Sequence, residues 1–262
     1  MRAARKQDTI HIEILHFQWK DETEIRMKEL EFTGFCPEGL DLLTQNRLMN
    51  SKDFYEAHKD EIRRKAVEPF QALCLRMAPA MLEIDPLFVT VPSRMVSRVR
   101  RDTRYTKDKS LYRANQWLFF RRPKAQYEST PFYYMEITPE YWGYGCYGGF
   151  TPAEMALARE MIQKEDKLFL DAFRASEKSK VFTLDGPLYK RPRVPDAPEA
   201  YQPWLNRKHI GLQFSEYDDY APLWSDAFVE PMLQAFRQIA PFYRFVCALH
   251  ERVRKAESEA AR

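Results

Sequence analysis

No apolar stretch in this 262-residue chain is long enough to span a membrane, so an α-helical membrane protein is not expected. The four cysteines, Cys36, Cys74, Cys146 and Cys247, lie far apart, form no C-x-x-C pair and have no histidine at ligand spacing. That excludes a disulfide framework and a zinc site, and the four read as small core residues. The five histidines form no H-E-x-x-H array, and G-x-S-x-G, Walker-type and Cys-His pairing cues are missing, so no hydrolase or nucleotide-triphosphatase signature stands out. No internal repeat is visible. The N-terminus, MRAARKQDTIHIEIL, has neither an apolar h-region nor a small-residue cleavage site, and from this we expect a cytoplasmic protein with no membrane partner.

Glycine is scarce, eight residues against 17 prolines, and half of those glycines fall within 143–149. The string Gly143-Tyr144-Gly145-Cys146-Tyr147-Gly148 matches G-x-G-x-x-G, yet a dinucleotide site needs a parallel strand before the motif and a helix opening inside it. Here aromatics alternate with glycines in an antiparallel-type run and the helix opens only at Thr151, so no cofactor is expected. Two readings remain for the glycines. They let a backbone or ligand approach the sheet and lead Gly148-Gly149 into an anion-receptive helix N-terminus, or they form a simple bulge and tight turn.

What is present is a core and a focused charge. Hydrophobic residues make up 45% of the chain and aromatics 14%, ample for one large α+β domain. Residues 1–31 read as an N-terminal extension, 32–257 as the domain and 258–262 as a tail. Three-to-four-residue apolar spacing predicts helices over 38–47 and from Ser51 through Met81, divided near Pro69. Runs rich in aromatic and β-branched residues predict strands at 94–101, 115–122, 131–138 and 141–147, an antiparallel meander with a turn at Thr138-Pro139-Glu140. Thr151-Pro152-Ala153-Glu154 is a helix start, with helix expected to about 175. Strands near 180–184 and 209–215 and a long helix over 225–253, bent at Pro241, complete the pattern: an antiparallel sheet packed against helices.

From Arg94 to Arg122 ten cationic side chains face only Asp102 and Asp108, a local charge of +8, so the rest of a chain of net +3 carries −5. A basic focus on an acidic body suits a compact anion better than a long nucleic acid. If 94–101 is a strand, Arg94, Arg98 and Arg100 share one face and Arg101 the other. Gln116 to Phe120 shows no polar alternation, which places 115–122 inside the sheet, buried on both sides. Arginines beside such a strand are expected to line a cleft and grip an anion bidentately. The connection 102–114 is longer than an ordinary hairpin loop. Its Asp102 and Asp108 read chiefly as partners that orient the neighbouring cations, with a metal-binding or general-base role as the alternative.

The run Arg101-Asp102-Thr103-Arg104-Tyr105-Thr106-Lys107-Asp108-Lys109-Ser110-Leu111-Tyr112 resembles the R-D-x-R-[FY]-[ST]-K-D-K-x-x-Y hallmark of the conserved hypothetical proteins known as domain of unknown function 2461. Phe32-Thr33-Gly34-Phe35, Phe54-Tyr55 and Leu188-Tyr189-Lys190-Arg191-Pro192 resemble further segments of that family, over about residues 32–250. Ser110-Leu111 stands where Thr-Pro is common. The resemblance implies a shared basic segment and supplies no chemistry.

The expected ligand site comprises Arg98, Arg100, Arg101, Asp102, Arg104, Tyr105, Lys107, Asp108, Lys109 and Tyr112, with Lys190 and Arg191 either folding over the same anion or forming an exposed connector. Two function classes follow. One is a protein that binds a small phosphorylated ligand, a nucleotide or metabolite, with or without a reaction on it. The other is a non-catalytic module that docks its basic loop on RNA or an acidic protein.

Overall fold

The computed structural model describes residues 30–123, 131–148 and 150–260. The N-terminal extension lies almost wholly outside them. Proline and capping side chains set the helix starts. Pro37 opens helix α1 (Pro37–Met49), which ends at Asn50 in the left-handed region (φ 46°). Ser51 caps α2 (Lys52–Ile62) by accepting the Phe54 N–H, and a π-helical turn, Arg63–Val67, joins it to α3 (Glu68–Ile84), with Pro69 in the first turn of α3. The division expected near Pro69 therefore falls one turn earlier.

Five strands form one antiparallel sheet: β1 (Gln116–Phe120), β2 (Phe132–Ile137), β3 (Trp142–Tyr147), β4 (Thr183–Asp185) and β5 (Gly211–Glu216), in the order β1-β2-β3-β5-β4. Leu118 pairs with Met135, Tyr133 with Cys146, and Cys146 with Leu212. These residues are buried and face the helices, as period-two alternation requires.

Between β3 and β4 lie α5 (Pro152–Gln163) and α6 (Lys167–Lys178). The start at Thr151 is a full capping box, Thr151 Oγ1 accepting from Glu154 N at 3.2 Å and Glu154 Oε2 accepting from Thr151 N at 2.7 Å. The single helix expected to 175 is instead two, because Glu165 turns left-handed (φ 51°) and Asp166 caps a new start. The expected 225–253 helix likewise divides into α8 (Val229–Gln238) and α9 (Ala240–Ala260), with Pro241 tolerated in the first turn of α9; a short helix α7 (Gln202–Leu205) precedes β5. Phe236 of α8 and Tyr243 of α9 pack on Tyr133 at centroid distances of 4.8 and 5.3 Å, and α5 and α6 cover the outer side of α9.

Two sequence expectations are corrected here. Residues 94–101 are not a regular strand. Pro92 starts a short helix, α4 (Pro92–Met95), whose carbonyls at Val91 and Pro92 take the N–H groups of Met95 and Val96, so only isolated pairings, Val96 with Leu118 and Arg100 with Tyr112, remain beyond it. And among the described residues β1 is an edge strand, not an internal one. Gln116, Leu118 and Phe120 are buried while Trp117 and Phe119 are half-buried on the opposite face. Aromatic residues on the open face hid that alternation.

Candidate functional site: a pinned cationic loop beside a groove

A second, smaller core positions the basic segment. Leu42 and Leu43 of α1, Ile62 at the end of α2, Ala66, Val99 and Tyr112 bury one another, and Tyr112 stacks on Tyr55 at 5.0 Å and 22°. Two apolar residues of the basic stretch are thereby fixed against the helices. Between them, Arg101 N donates to Leu111 O (2.8 Å) and Arg113 N to Val99 O (3.0 Å), making a short antiparallel ribbon that closes the loop 102–110 at its neck.

Inside that neck the loop's own acids are fully engaged. Asp102 accepts from the Arg104 backbone N–H (3.1 Å) and from its guanidinium at Nε (3.0 Å) and Nη2 (2.7 Å). Asp108 Oδ1 accepts from Ser110 N (2.9 Å) and Oγ (2.6 Å), while Oδ2 accepts from Arg47 Nη2 (2.8 Å) and from Arg101 Nη1. Lys109 Nζ donates to Thr103 O (2.8 Å), and Thr106 Oγ1 to Asp108 O (2.7 Å). Asn50 at the end of α1 accepts from Leu111 N at 2.7 Å. The guanidinium and backbone of Arg104 bring the Asp102 carboxyl down to about 2. The hydroxyl and N–H of Ser110, with Arg101 and Arg47, hold Asp108 well below the usual carboxylate range. Both are carboxylates at neutral pH, which suits orientation of cations and not acid chemistry.

The cations divide accordingly. Arg101, Arg104 and Lys109 are committed to the loop. Arg113 donates Nε to Arg98 O (3.2 Å) and lays its guanidinium 4.4 Å over the Trp117 ring. Among the described residues, no carboxylate pairs with Arg98, Arg100 or Lys107. Arg98 and Arg100, which flank a bend at Val99, border an open groove of about 650 Å³ whose far wall is α2 and α3, with Lys59, Asp60, Arg63 and Gln71. Of the wall cations, Lys59 pairs with Glu56 (2.8 Å) and Arg63 with Glu68 (3.2 Å). Tyr105 stands at the loop tip, 90% exposed, with Arg104 5.6 Å from its ring.

Other expected residues lie elsewhere. Tyr112 is 2% exposed and serves the small core. Lys190 and Arg191 are exposed beside β4, at the opposite sheet edge from β1, about 19 Å away at ordinary strand spacing. They do not join the loop; their neighbours Leu188 and Tyr189 pair with Arg207 and Asn206 instead. Gly143 and Gly145 face the sheet side away from the helices and so away from the groove. Arg47, Asn50, Tyr55, Lys59 and Arg63 were not anticipated. The helical spacing of 38–47 and of the stretch from Ser51 carries no local signal that these helices meet the loop; their contacts with it span about 60 residues of sequence.

Among the described residues, no three His, Cys, Asp or Glu side chains are grouped to hold a metal ion, and no helix is long and apolar enough to cross a membrane. An α+β domain whose ordered cationic loop is clamped to a helix pair defines the class of protein. The chain matches the model of the family described as Conserved hypothetical protein (DUF2461) over residues 38–245, and it belongs to that family. Among curated proteins no match to the chain is found.

Proposed function

We propose that this protein binds a compact phosphate-bearing anion, a nucleotide or phosphorylated metabolite, in the groove between the Arg98–Arg100 edge and helices α2 and α3. The observation that carries this reading is the pair Arg98 and Arg100, without carboxylate partners among the described residues, at the border of a groove of ligand size. Guanidinium forks favour planar, multi-oxygen anions. Asp102 and Asp108 act as positioning residues. By neutralising Arg101, Arg104 and Arg47 they hold the loop closed and leave Arg98 and Arg100 to meet a ligand in the groove. Four unpaired cysteines suit the reducing cytoplasm where such ligands abound.

A melting-shift series tests this with inorganic phosphate, pyrophosphate and ATP as probes. A ligand bound only by the folded state raises the melting temperature by mass action. Arg100→Lys keeps the charge but loses the fork and should reduce the response, and Arg98→Gln should do the same. Equal responses from parent and variants would overturn the assignment. A second reading rests on Tyr105: an aromatic 90% exposed beside Arg104 and Lys107 suits docking on an acidic protein or RNA. Short RNA bound with a steep salt dependence, through Tyr105 and not through Arg98, would favour it.

A further inference from the structure

The open face of the sheet carries a second cavity, of about 400 Å³, that the anion groove does not involve. On β3 this face carries Tyr147 at one end, while the two same-face positions before it, Gly143 and Gly145, bear no side chain, so the floor along β3 is bare backbone up to Tyr147. Gly145 lies between Tyr134 of β2 and Gln213 of β5, and Gly143 between Glu136 and Ser215. The result is a trough two strand spacings wide, about 10 Å. A Cβ on Gly145 would stand 3.1 Å from the Tyr134 ring and 2.2 Å from Leu212 O, so this floor accepts no side chain without rearrangement.

The walls are aromatic and the charge inside is negative. Trp117 and Phe119 of β1 line one side, Phe132 and Tyr147 close one end, and Tyr134 and Tyr141 complete the lining. Glu136 is fixed by Asn115 Nδ2 (2.6 Å) and by the Tyr141 hydroxyl (2.9 Å). Asp185, at the end of β4, borders the same cavity, and no described residue donates a hydrogen bond or forms an ion pair to its carboxylate. Burial chiefly, with smaller contributions from Tyr141, Asp185 and Glu136, pushes the Tyr134 phenol well above the usual tyrosine range. The rings of this face already attract cations at its margins, where Arg113 sits 4.4 Å over Trp117 and Arg121 4.9 Å over Phe119.

We propose that this trough is a binding site for a small organic cation bearing a quaternary or alkylated ammonium group, held by the aromatic walls and by the carboxylates of Asp185 and Glu136. Ring faces attract the spread positive charge of such a group without needing its hydrogen bonds. Phosphate is disfavoured by the same two carboxylates, so the site is distinct in chemistry as well as in place from the groove at Arg98 and Arg100. It stands or falls independently of that groove.

Titration calorimetry with choline chloride tests the site against dimethylbutanol, the uncharged isostere in which carbon replaces the ammonium nitrogen. Choline should bind saturably and at least about fivefold more tightly than the isostere, the size of a partly desolvated cation–π contact. Asp185→Asn, which keeps shape and removes charge, and Tyr147→Leu should each weaken choline by a comparable factor at an unchanged melting temperature. If either variant melts early, chemical-shift changes of the parent's Tyr134 and Trp117 ring signals on adding choline supply the readout. Equal binding of choline and the isostere would reduce the trough to an apolar cleft and overturn the proposal. So would the absence of saturable choline binding, or perturbation confined to residues outside the trough.

Discussion

Replacing Tyr112 by alanine removes the side chain on which the loop neck rests. Its ring is 2% exposed, enclosed by Leu42, Leu43, Ile62, Ala66 and Val99, and stacked on Tyr55. Truncating a buried aromatic loses both transfer energy and packing, about 3–5 kcal/mol. In a chain of this size each kcal/mol moves the midpoint by roughly 2–3 °C, so Tyr112→Ala should lower Tm by about 6–15 °C. The hydroxyl makes no hydrogen bond to a described residue, and Tyr112→Phe should therefore stay within about 0.5 kcal/mol of the parent. Thermal unfolding followed by circular dichroism measures both. Hydrogen exchange at the amides of Arg101 and Arg113, which close the neck, should quicken in Tyr112→Ala and not in Tyr112→Phe. A Tm within 2 °C of the parent for the alanine variant, or equal losses for the two, would refute the reasoning that this small core holds the loop.

A buried cluster gives a second expectation. Asp85, 4% exposed, accepts from Tyr243 Oη (2.5 Å), Arg122 Nε (2.7 Å) and Leu87 N (2.9 Å), joining the end of α3 to β1's continuation and α9. Asp85→Ala removes the buried acceptor shared by Tyr243, Arg122 and Leu87, while Arg122 keeps Glu251 (2.9 Å), and should cost about 2–4 kcal/mol in urea unfolding; a loss below about 1 kcal/mol would contradict this. Burial alone would raise the Asp85 carboxyl, but these hydrogen bonds outweigh it and the folded state holds the group below its ordinary value. Its contribution is thus present above the unfolded carboxyl value near pH 4 and is lost as pH falls through the lower folded value, visible as a steepening acid limb that Asp85→Asn lacks. Carboxyl-carbon NMR should find Asp102 titrating at about 2, and a midpoint at the unperturbed value would mean that its pairing with Arg104 does not persist in solution. Since Asp102 and Arg104 are exposed, Asp102→Ala and Thr106→Ala should give similar, small melting shifts, and a large loss for Asp102 alone would show a sequestered pair.

Much of this arrangement was legible in local chemistry. The capping box at Thr151, the turn at Thr138, and the strands over 131–138 and 141–147 follow from residue types whose preferences act within a few positions. Alternation also put Arg98 and Arg100 on one side, and both border the same groove. What misled was tertiary context. Trp117 and Phe119 read as core, yet they form the wall of an open sheet face, so β1 looked internal. Pro92, which folds its neighbours into a helical turn, escaped notice beside the arginines that follow it. The pairing of Asp108 with Arg47 spans 61 residues and has no local signal. Lys190 and Arg191 resembled a continuation of the basic site because composition carries no information about which sheet edge a segment occupies.

The most direct test of the anion reading is a crystal of this protein grown in sulfate or phosphate. The account predicts an anion bridged by the guanidinium groups of Arg98 and Arg100, with Asp102 still on Arg104 and Asp108 still on Arg47 and Arg101. An empty groove in which Arg98 and Arg100 pair with carboxylates, or an anion held by Arg101 and Arg104 after displacing both aspartates, would contradict it.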